Sequence, residues 1–232
     1  MIRDLLILGA GGDGRIVADL VASINTKKKK WKLLGYLDDD PLKQGSEIND
    51  FPVLGTLRDV IRYDDCFFVA TFGSPKTNFL KKRIISDLRI PIDRFATLIH
   101  PGANVSSYAK IGRGTIIHFG TNVSVNAFIG DHVKILANCN ISHDTEIHDF
   151  TTIAPSVSIS GQVTVKEGCY LGSNSSIRQR LNIGEWSLIG LGAVIIKDVP
   201  PYCTVVGNPG RIIRKRDPSD FQLTLEHNSR GK

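Results

Sequence analysis

An aliphatic residue recurs at every sixth position between Ile99 and Ile195. The side chain four residues later is nearly always small or β-branched, and glycine often follows the aliphatic residue directly. A period of six is neither that of an α-helix nor that of an alternating strand. It is typical of a solenoid in which three short strands form one triangular coil of about 18 residues and stack an aliphatic ladder inside. The series comprises Ile99, Val105, Ile111, Ile117, Val123, Ile129, Ile135, Ile141, Ile147, Ile153, Ile159, Val165, Leu171, Ile177, Ile183, Ile189 and Ile195.

The residues before this repeat follow a different pattern, in which strands alternate with helices. Such alternation predicts a Rossmann-like βαβ domain with a parallel sheet. The predicted elements are a buried strand at 5–8, a helix with apolar spacing at 16–24, a strand at 33–37, a helix at 57–61, a strand at 66–70 and a helix at 76–88.

A glycine-rich turn lies between the first strand and the first helix. Gly9, Gly11 and Gly14 match G-x-G-x-x-G, and the N–H groups at a helix N-terminus attract phosphate. Asp38 and Asp39 follow the second strand, where a ribose or base would be gripped. The pattern favours a nucleotide, whereas about 95 residues amount to only half of a dinucleotide-binding fold. A glycine turn that serves packing alone is the alternative.

The net positive charge of the chain is concentrated in two segments. The net charge is +6, concentrated at 27–30 and 211–232. No aromatic residues alternate with the lysines of 27–30, so we expect a solvated loop there and no nucleic-acid partner. The tail either helps to hold an anionic ligand or is a frayed terminus, and we favour the terminus.

The cysteines and the hydropathy point to a reducing compartment. Cys66, Cys139, Cys169 and Cys203 lack metal-type spacing, and Cys139 and Cys169 take the small inward position of the repeat, which predicts buried thiols. No signal peptide and no membrane-length apolar stretch is present. We therefore expect a cytoplasmic protein without a membrane partner.

One hexad of the repeat is chemically unusual. In it, His143 is followed by Asp144, which suggests a general base with a carboxylate partner. Gly161 lies at the equivalent position one coil above His143, and its bare backbone would leave an N–H open beside the imidazole for an oxyanion. A solvated His–Asp pair and a glycine that makes a corner are the alternatives.

Three other functional classes compete with this interpretation. A γ-type carbonic anhydrase also uses hexapeptide coils, and His143 and His148 have the spacing of two of its zinc ligands. The third histidine should stand at Ser107, so we expect no metal. A nicotinamide dehydrogenase would leave the solenoid without a role. A scaffold without catalysis remains open.

Taken together, the motifs resemble those of a known group of enzymes. The glycine-rich turn, the sequence Leu37-Asp38-Asp39, the hexads, His143-Asp144 and the closing segment 205–211 resemble bacterial hexapeptide-repeat acetyltransferases with an N-terminal nucleotide-sugar-binding domain. This family includes UDP-4-amino-sugar and perosamine N-acetyltransferases and sialic acid O-acetyltransferases. The resemblance implies a nucleotide-sugar domain at 1–95, a left-handed parallel β-helix of five to six coils at 96–215 and a basic tail at 216–232.

The resemblance also implies a reaction and a set of site residues. Acetyl-CoA would acetylate the 4-amino group of a nucleotide-linked amino deoxysugar by direct transfer, with sialic acid O-acetylation as the alternative. His143 would be the base and Asp144 its partner, with the Gly161 N–H facing the tetrahedral intermediate. The residues expected to hold the nucleotide sugar are Gly11, Gly12, Asp13, Asp38, Asp39 and Gly73, and those expected along acetyl-CoA are Thr152, Ser173 and Leu191.

The solenoid also bears on assembly. A flat face of a β-helix can bury more apolar surface by packing on its own copies, as the trimers of this family do. We therefore predict a homotrimer with each active site between neighbouring subunits.

Overall fold

The computed structural model describes residues 2–75 and 77–217, beginning with an α/β part. The strands and α-helices of this part are β1 (Arg3–Leu8), α1 (Gly12–Lys27), β2 (Trp31–Leu37), β3 (Glu47–Ile48), β4 (Phe51–Pro52), β5 (Phe67–Ala70) and α2 (Lys81–Asp87). Short 3-10 helices occur at Pro41–Lys43, Leu57–Arg62, Asn78–Leu80 and Ile92–Arg94.

The predicted parallel sheet is present. Its strand order is β2-β1-β5, and both pairings are parallel. Residues 5–8 of the central strand are wholly buried, as expected for a parallel strand that is covered on both faces. Helix α1 packs Val17, Leu20 and Val21 into this core, whereas Ile16, the first residue of the apolar series, is half exposed.

Several elements differ from the sequence-based prediction. The segment expected as a helix at 57–61 is the 3-10 helix Leu57–Arg62, and α2 is shorter than the predicted span of 76–88. Strands β3 and β4 form a small antiparallel hairpin that the pattern did not indicate.

The β-helix follows, and from β6 to β22 each strand contains two residues. The strands are β6 (Leu98–Ile99), β7 (Asn104–Val105), β8 (Lys110–Ile111), β9 (Ile116–Ile117), β10 (Asn122–Val123), β11 (Phe128–Ile129), β12 (Lys134–Ile135), β13 (Asn140–Ile141), β14 (Glu146–Ile147), β15 (Thr152–Ile153), β16 (Ser158–Ile159), β17 (Thr164–Val165), β18 (Tyr170–Leu171), β19 (Ser176–Ile177), β20 (Asn182–Ile183), β21 (Leu188–Ile189), β22 (Val194–Ile195), β23 (Cys203–Val206) and β24 (Arg211–Lys215).

These strands form three parallel faces of a left-handed β-helix of about six coils, which confirms the predicted fold. We call the face that contains β9, β12, β15, β18 and β21 the docked face, because the α/β part packs on it. The face that contains β10, β13 and β16 is the second face, and the face that contains β11, β14 and β17 is the third face.

The hexad pattern sets the geometry of each coil. From Ile117 onward the aliphatic ladder residues are fully or almost fully buried. The small residue four positions later is also buried, as at Thr145 and Val163. Between these two inward positions, one turn residue adopts a positive φ in every hexad from Gly114 to Gly192, including Asn126 and Asp144. This left-handed residue turns the chain from one face to the next.

The C-terminal end of the coil is closed by an ordered segment. Strand β24 pairs antiparallel with β23, so residues 211–215, although exposed, are not the frayed terminus that we had expected. The remainder of the predicted basic tail, residues 218–232, lies outside the described residues. Within residues 2–75 and 77–217, no helix is long and apolar enough to cross a membrane.

Polar contacts also attach the α/β part to the docked face. Asn78 Nδ2 donates to the carbonyl oxygen of Gly168 at 2.6 Å, and Lys82 pairs with Glu167 at 2.8 Å. The N-terminal core cluster also includes Leu98 and Ile116 of the coil. The two parts therefore share a core, and the loops of the α/β part are fixed relative to the β-helix.

Candidate active site

His143 lies in the turn that joins β13 on the second face to β14 on the third. Its Nδ1 lies 2.8 Å from Asp144 Oδ2, and about half of each side chain is exposed. Asn126, one coil below, donates from Nδ2 to Asp144 Oδ1 at 3.0 Å. Both Asn126 and Asp144 have a positive φ, so this stacking follows from the hexad geometry.

The protonation state of Asp144 determines what the imidazole can do. The hydrogen bond to His143, followed by that from Asn126, holds the pKa of the Asp144 carboxyl below its ordinary value. An ionised carboxylate only accepts hydrogen bonds, so Nδ1 of His143 carries the proton that it donates. In the neutral ring Nε2 is then the basic nitrogen, and it points away from Asp144.

Gly161 keeps the space beside Nε2 open. A Cβ atom at Gly161 would lie 2.6 Å from both Nε2 and Cε1 of His143. The Gly161 N–H donates to no acceptor among residues 2–75 and 77–217. A reacting group at this corner would therefore meet a basic nitrogen and an unpaired N–H together.

A pocket of about 560 Å³ lies at the carboxyl ends of β1, β2 and β5. The structure brings together in its lining all six residues predicted to hold the nucleotide sugar: Gly11, Gly12, Asp13, Asp38, Asp39 and Gly73. Gly14 leaves no room for a side chain, because its Cβ would lie 2.1 Å from the carbonyl oxygen of Gly9. The glycine turn therefore has a packing function and also forms the pocket wall.

Asp38 is largely committed to contacts within the chain. Its carboxylate accepts the N–H groups of Ala10 at 2.7 Å and Asp40 at 2.9 Å, and the ammonium of Lys43 at 3.0 Å. Burial alone would raise its pKa, but these hydrogen bonds outweigh burial and hold the pKa below its ordinary value. Asp39 accepts the N–H of Leu57 at 2.8 Å and is otherwise exposed to the pocket.

Asp13 has a partner that the sequence did not indicate. It pairs with Lys134 of β12, whose side chain is almost completely buried. Lysines at the outward strand position of a hexad normally face solvent, so no sequence signal distinguishes Lys134. The contact between Asn126 and Asp144 could have been predicted from the sequence, because Asn126 occupies the position one coil before Asp144.

The three residues expected along acetyl-CoA do not lie together. Ser173 and Leu191 stack one coil apart at the corner between the docked and second faces, and Leu191 is 82% exposed. Thr152 lies on the docked face, is buried, and donates from Oγ1 to Asn78 Oδ1 at 2.9 Å. In a single chain, Asn78 therefore covers Thr152.

The cysteines are poor nucleophiles. All four are free and buried. Burial raises the pKa of Cys139 to about 11 and that of Cys169 to about 12. Thiolate chemistry at neutral pH is therefore disfavoured at both positions.

His143 and the pocket lie on opposite sides of the coil. The pocket adjoins the docked face, since Asp13 pairs with Lys134 and Gly73 approaches Thr152. His143 occupies the corner between the other two faces, which in a triangular coil is opposite the docked face. The His143 of a chain therefore cannot reach a ligand in that chain's own pocket.

The described residues contain no group of three or more His, Cys, Asp or Glu side chains that could hold a metal ion. His148, the second histidine of the zinc hypothesis, instead lies 3.5 Å from Glu146.

Comparisons with known proteins agree with this architecture. Residues 4–88 match the PglD N-terminal domain, and residues 126–161 match the bacterial transferase hexapeptide repeat. The acetyltransferase domain of PglB from Neisseria gonorrhoeae, solved with acetyl coenzyme A, is 30% identical with a TM-score of 0.81, and the match covers 92% of this chain and 100% of that one.

Curated relatives match over shorter segments. UDP-N-acetylbacillosamine N-acetyltransferase of Bacillus subtilis is 33% identical over 118 residues, which is 49% of this chain and 50% of that protein. A putative acetyltransferase of Staphylococcus aureus is 51% identical over 37 residues, 16% of this chain and 19% of its own length. The chain thus matches half or less of the length of these curated relatives.

Proposed function

The chain belongs to the hexapeptide-repeat sugar acetyltransferases that carry a PglD-type N-terminal domain, and we propose that it acetylates the 4-amino group of a nucleotide-linked amino deoxysugar. Acetyl-CoA is the co-substrate. We assign residues 1–95 to nucleotide-sugar binding, 96–215 to acetyl transfer and 216–232 to a basic tail. The observation that most directly supports the proposal is the hydrogen-bonded pair of His143 and Asp144, in which Nε2 of His143 faces the space left by the missing side chain of Gly161.

The chemistry follows from the geometry of that corner. The sugar amine attacks the thioester carbonyl and loses a proton to Nε2 of His143, while Asp144 stabilises the imidazolium. The N–H of Gly161 donates to the oxyanion of the tetrahedral intermediate. The C–S bond then breaks, the acetyl group stays on nitrogen, and the CoA thiolate takes the proton from the imidazolium. Direct transfer needs no acyl-enzyme, in keeping with the buried thiols at positions 139 and 169.

The pocket supplies groups suited to the nucleotide part of the substrate. The N-terminus of α1 offers backbone N–H groups to a diphosphate, and Asp39 offers a carboxylate to ribose or base hydroxyls and amines. The Bacillus subtilis relative is named for a UDP-linked sugar, which supports a nucleotide sugar as acceptor. Ser173 and Leu191 would contact acetyl-CoA along the upper coils. Thr152 would contact it only if the Asn78 side chain moved away from Thr152.

Assembly completes the site. Because His143 and the pocket of one chain lie on opposite sides of the coil, the pocket of one subunit must be served by His143 of another. A homotrimer, with one shared site at each of its interfaces, meets this requirement.

A substrate panel tests the proposal. Purified protein is incubated with acetyl-CoA and with UDP-, GDP- and dTDP-linked 4-amino deoxysugars, and products are identified by mass, with His143→Ala as the control. We expect acetylation of at least one amino sugar and a loss of kcat of about 10²–10⁴-fold in the control. Transfer to sialic acid but to no amino sugar, or unchanged turnover in His143→Ala, would overturn the proposal.

A further inference from the structure

Lys134 is a charged side chain that the proposed mechanism does not use. It lies on the docked face, 1% exposed, and its ammonium donates to Asp13. The same Nζ lies 3.4–3.5 Å from the carbonyl oxygens of Thr71, Phe72 and Gly73. One buried cation from the β-helix thus meets two separate segments of the α/β part.

Both segments are walls of the nucleotide pocket. Asp13 belongs to the glycine turn at the start of α1, and residues 71–73 follow β5. The two walls meet at the sheet, where β1 pairs with β5 and Thr71 Oγ1 donates to the carbonyl oxygens of Leu8 and Gly9. Lys134 adds a contact beyond the end of the sheet, because it joins the side chain of Asp13 to the backbone of Phe72 and Gly73.

The charges of the pocket give Lys134 a second role. The lining contains three carboxylates, those of Asp13, Asp38 and Asp39, and one ammonium, that of Lys43. A nucleoside diphosphate is itself anionic, so carboxylates of the lining that no cation offset would repel it. The Lys134 ammonium directly behind Asp13 offsets one carboxylate in a region where water screens little.

We propose that Lys134 is a positioning residue for nucleotide-sugar binding, which couples the β-helix to the pocket through Asp13 and the backbone of residues 71–73. Its burial keeps it from touching the ligand. It acts by holding both walls and by neutralising Asp13. The inference rests on the proposed function, because it takes the pocket to be the nucleotide site.

Lys81 provides a matched control. It is also a fully buried lysine at the same interface, and its ammonium donates to the carbonyl oxygen of His132. Burial, followed by the charge of Lys134, lowers the pKa of Lys81. It forms no ion pair with a carboxylate of the pocket lining, although the nearby charge of Asp13 acts to raise its pKa, so Lys81→Met removes a buried amine and leaves the Lys134–Asp13 ion pair in place.

The test measures binding of UDP, GDP and dTDP to the full-length protein by calorimetry, together with the KM values for sugar nucleotide and acetyl-CoA. For the nucleotide that the wild type binds best, we expect Lys134→Met to weaken binding about tenfold or more, with the KM for acetyl-CoA within twofold. Lys81→Met should lower the melting temperature but leave nucleotide binding within about twofold.

A double variant keeps the proposal testable if Lys134→Met fails to fold. Asp13→Asn with Lys134→Met removes both charges, so it should fold but bind nucleotide more weakly than the wild type, because the contact between Asp13 and the β-helix is lost. Wild-type affinity in Lys134→Met or in the double variant, or equal losses in Lys134→Met and Lys81→Met, would overturn the inference. Failure of the wild type to bind any of the three nucleotides would instead refute the assignment of the pocket.

Discussion

Replacing Gly161 with alanine should disable catalysis while leaving the fold intact. The added Cβ would lie 2.6 Å from Nε2 and Cε1 of His143, whereas ordinary van der Waals contact begins at 3.4 Å. The imidazole must therefore move by about 0.8 Å, which strains or breaks its 2.8 Å hydrogen bond to Asp144. A displacement of about 1 Å at a reacting group can cost about 10²-fold in rate. We expect kcat to fall by about that factor, equivalent to about 2.7 kcal/mol in the activation barrier.

The same substitution should cost little stability. Gly161 does not have a positive φ, and Val125 and Gln179 carry side chains at the equivalent turn positions two coils below and one coil above. The displaced ring is 54% exposed and can rotate into solvent. The melting temperature should therefore change by no more than about 2 °C.

The assay follows CoA release with a thiol reagent, in parallel with thermal unfolding. Gln179→Ala serves as the control, since it alters the same turn one coil above and should keep wild-type kcat. In a His143→Ala background, Gly161→Ala should have no further effect on kcat, because the ring that it displaces is absent. Wild-type kcat in Gly161→Ala, or a full additional loss in the double variant, would show that Gly161 does not act through the position of the His143 ring.

Three further predictions follow from individual side chains. The Asp38 carboxylate has a pKa below its ordinary value, so its contribution to stability is present above about pH 4 and is lost as the pH falls through its folded-state pKa. Asp38→Asn should therefore be less stable to urea at pH 7 and should lack this loss of stability in acid. Identical pH profiles of stability for the variant and the wild type would contradict this prediction. Burial raises the pKa values of Cys139 and Cys169 to about 11 and 12. Iodoacetamide at pH 8 should therefore label neither thiol in the native protein but both after unfolding, as measured by mass spectrometry. Rapid labelling of the native protein with loss of activity would count against direct transfer. Asn126→Ala removes a hydrogen bond that lowers the pKa of Asp144 and helps to hold its carboxylate beside His143, so kcat at pH 7 should fall, though by less than in Asp144→Ala, and wild-type kcat in Asn126→Ala would exclude the proposed support.

The coil could be predicted from sequence because its signal is repeated in every hexad. From Ile117 onward each ladder residue, such as Ile141 or Ile159, occupies a buried position that only an apolar side chain fills well. The constant spacing between coils also placed Gly161 directly above His143, and the 2.6 Å approach of a Cβ at Gly161 to the imidazole agrees with this placement. Periodicity therefore carries information about both the fold and the catalytic corner.

The contacts between the two parts of the chain could not be predicted in this way. Asp13 and Lys134 are 121 residues apart, and neither position stands out from an ordinary surface residue in its own element. The position of Thr152 in its hexad predicts an outward, solvent-exposed side chain, yet Asn78 covers it. Such contacts depend on how the α/β part docks on the β-helix, which a local pattern does not encode.

The proposed site requires that His143 of one subunit act on a substrate held in the pocket of another. Complementation between two inactive variants tests it most directly. His143→Ala lacks the base, and Asp38→Ala with Asp39→Ala lacks a working pocket, so each protein alone should be nearly inactive. Co-expressed in equal amounts, they should form mixed assemblies in which about a quarter of the sites combine an intact base with an intact pocket. Recovery of about a quarter of wild-type kcat is the predicted result, and mixed assemblies no more active than either variant alone would contradict the account.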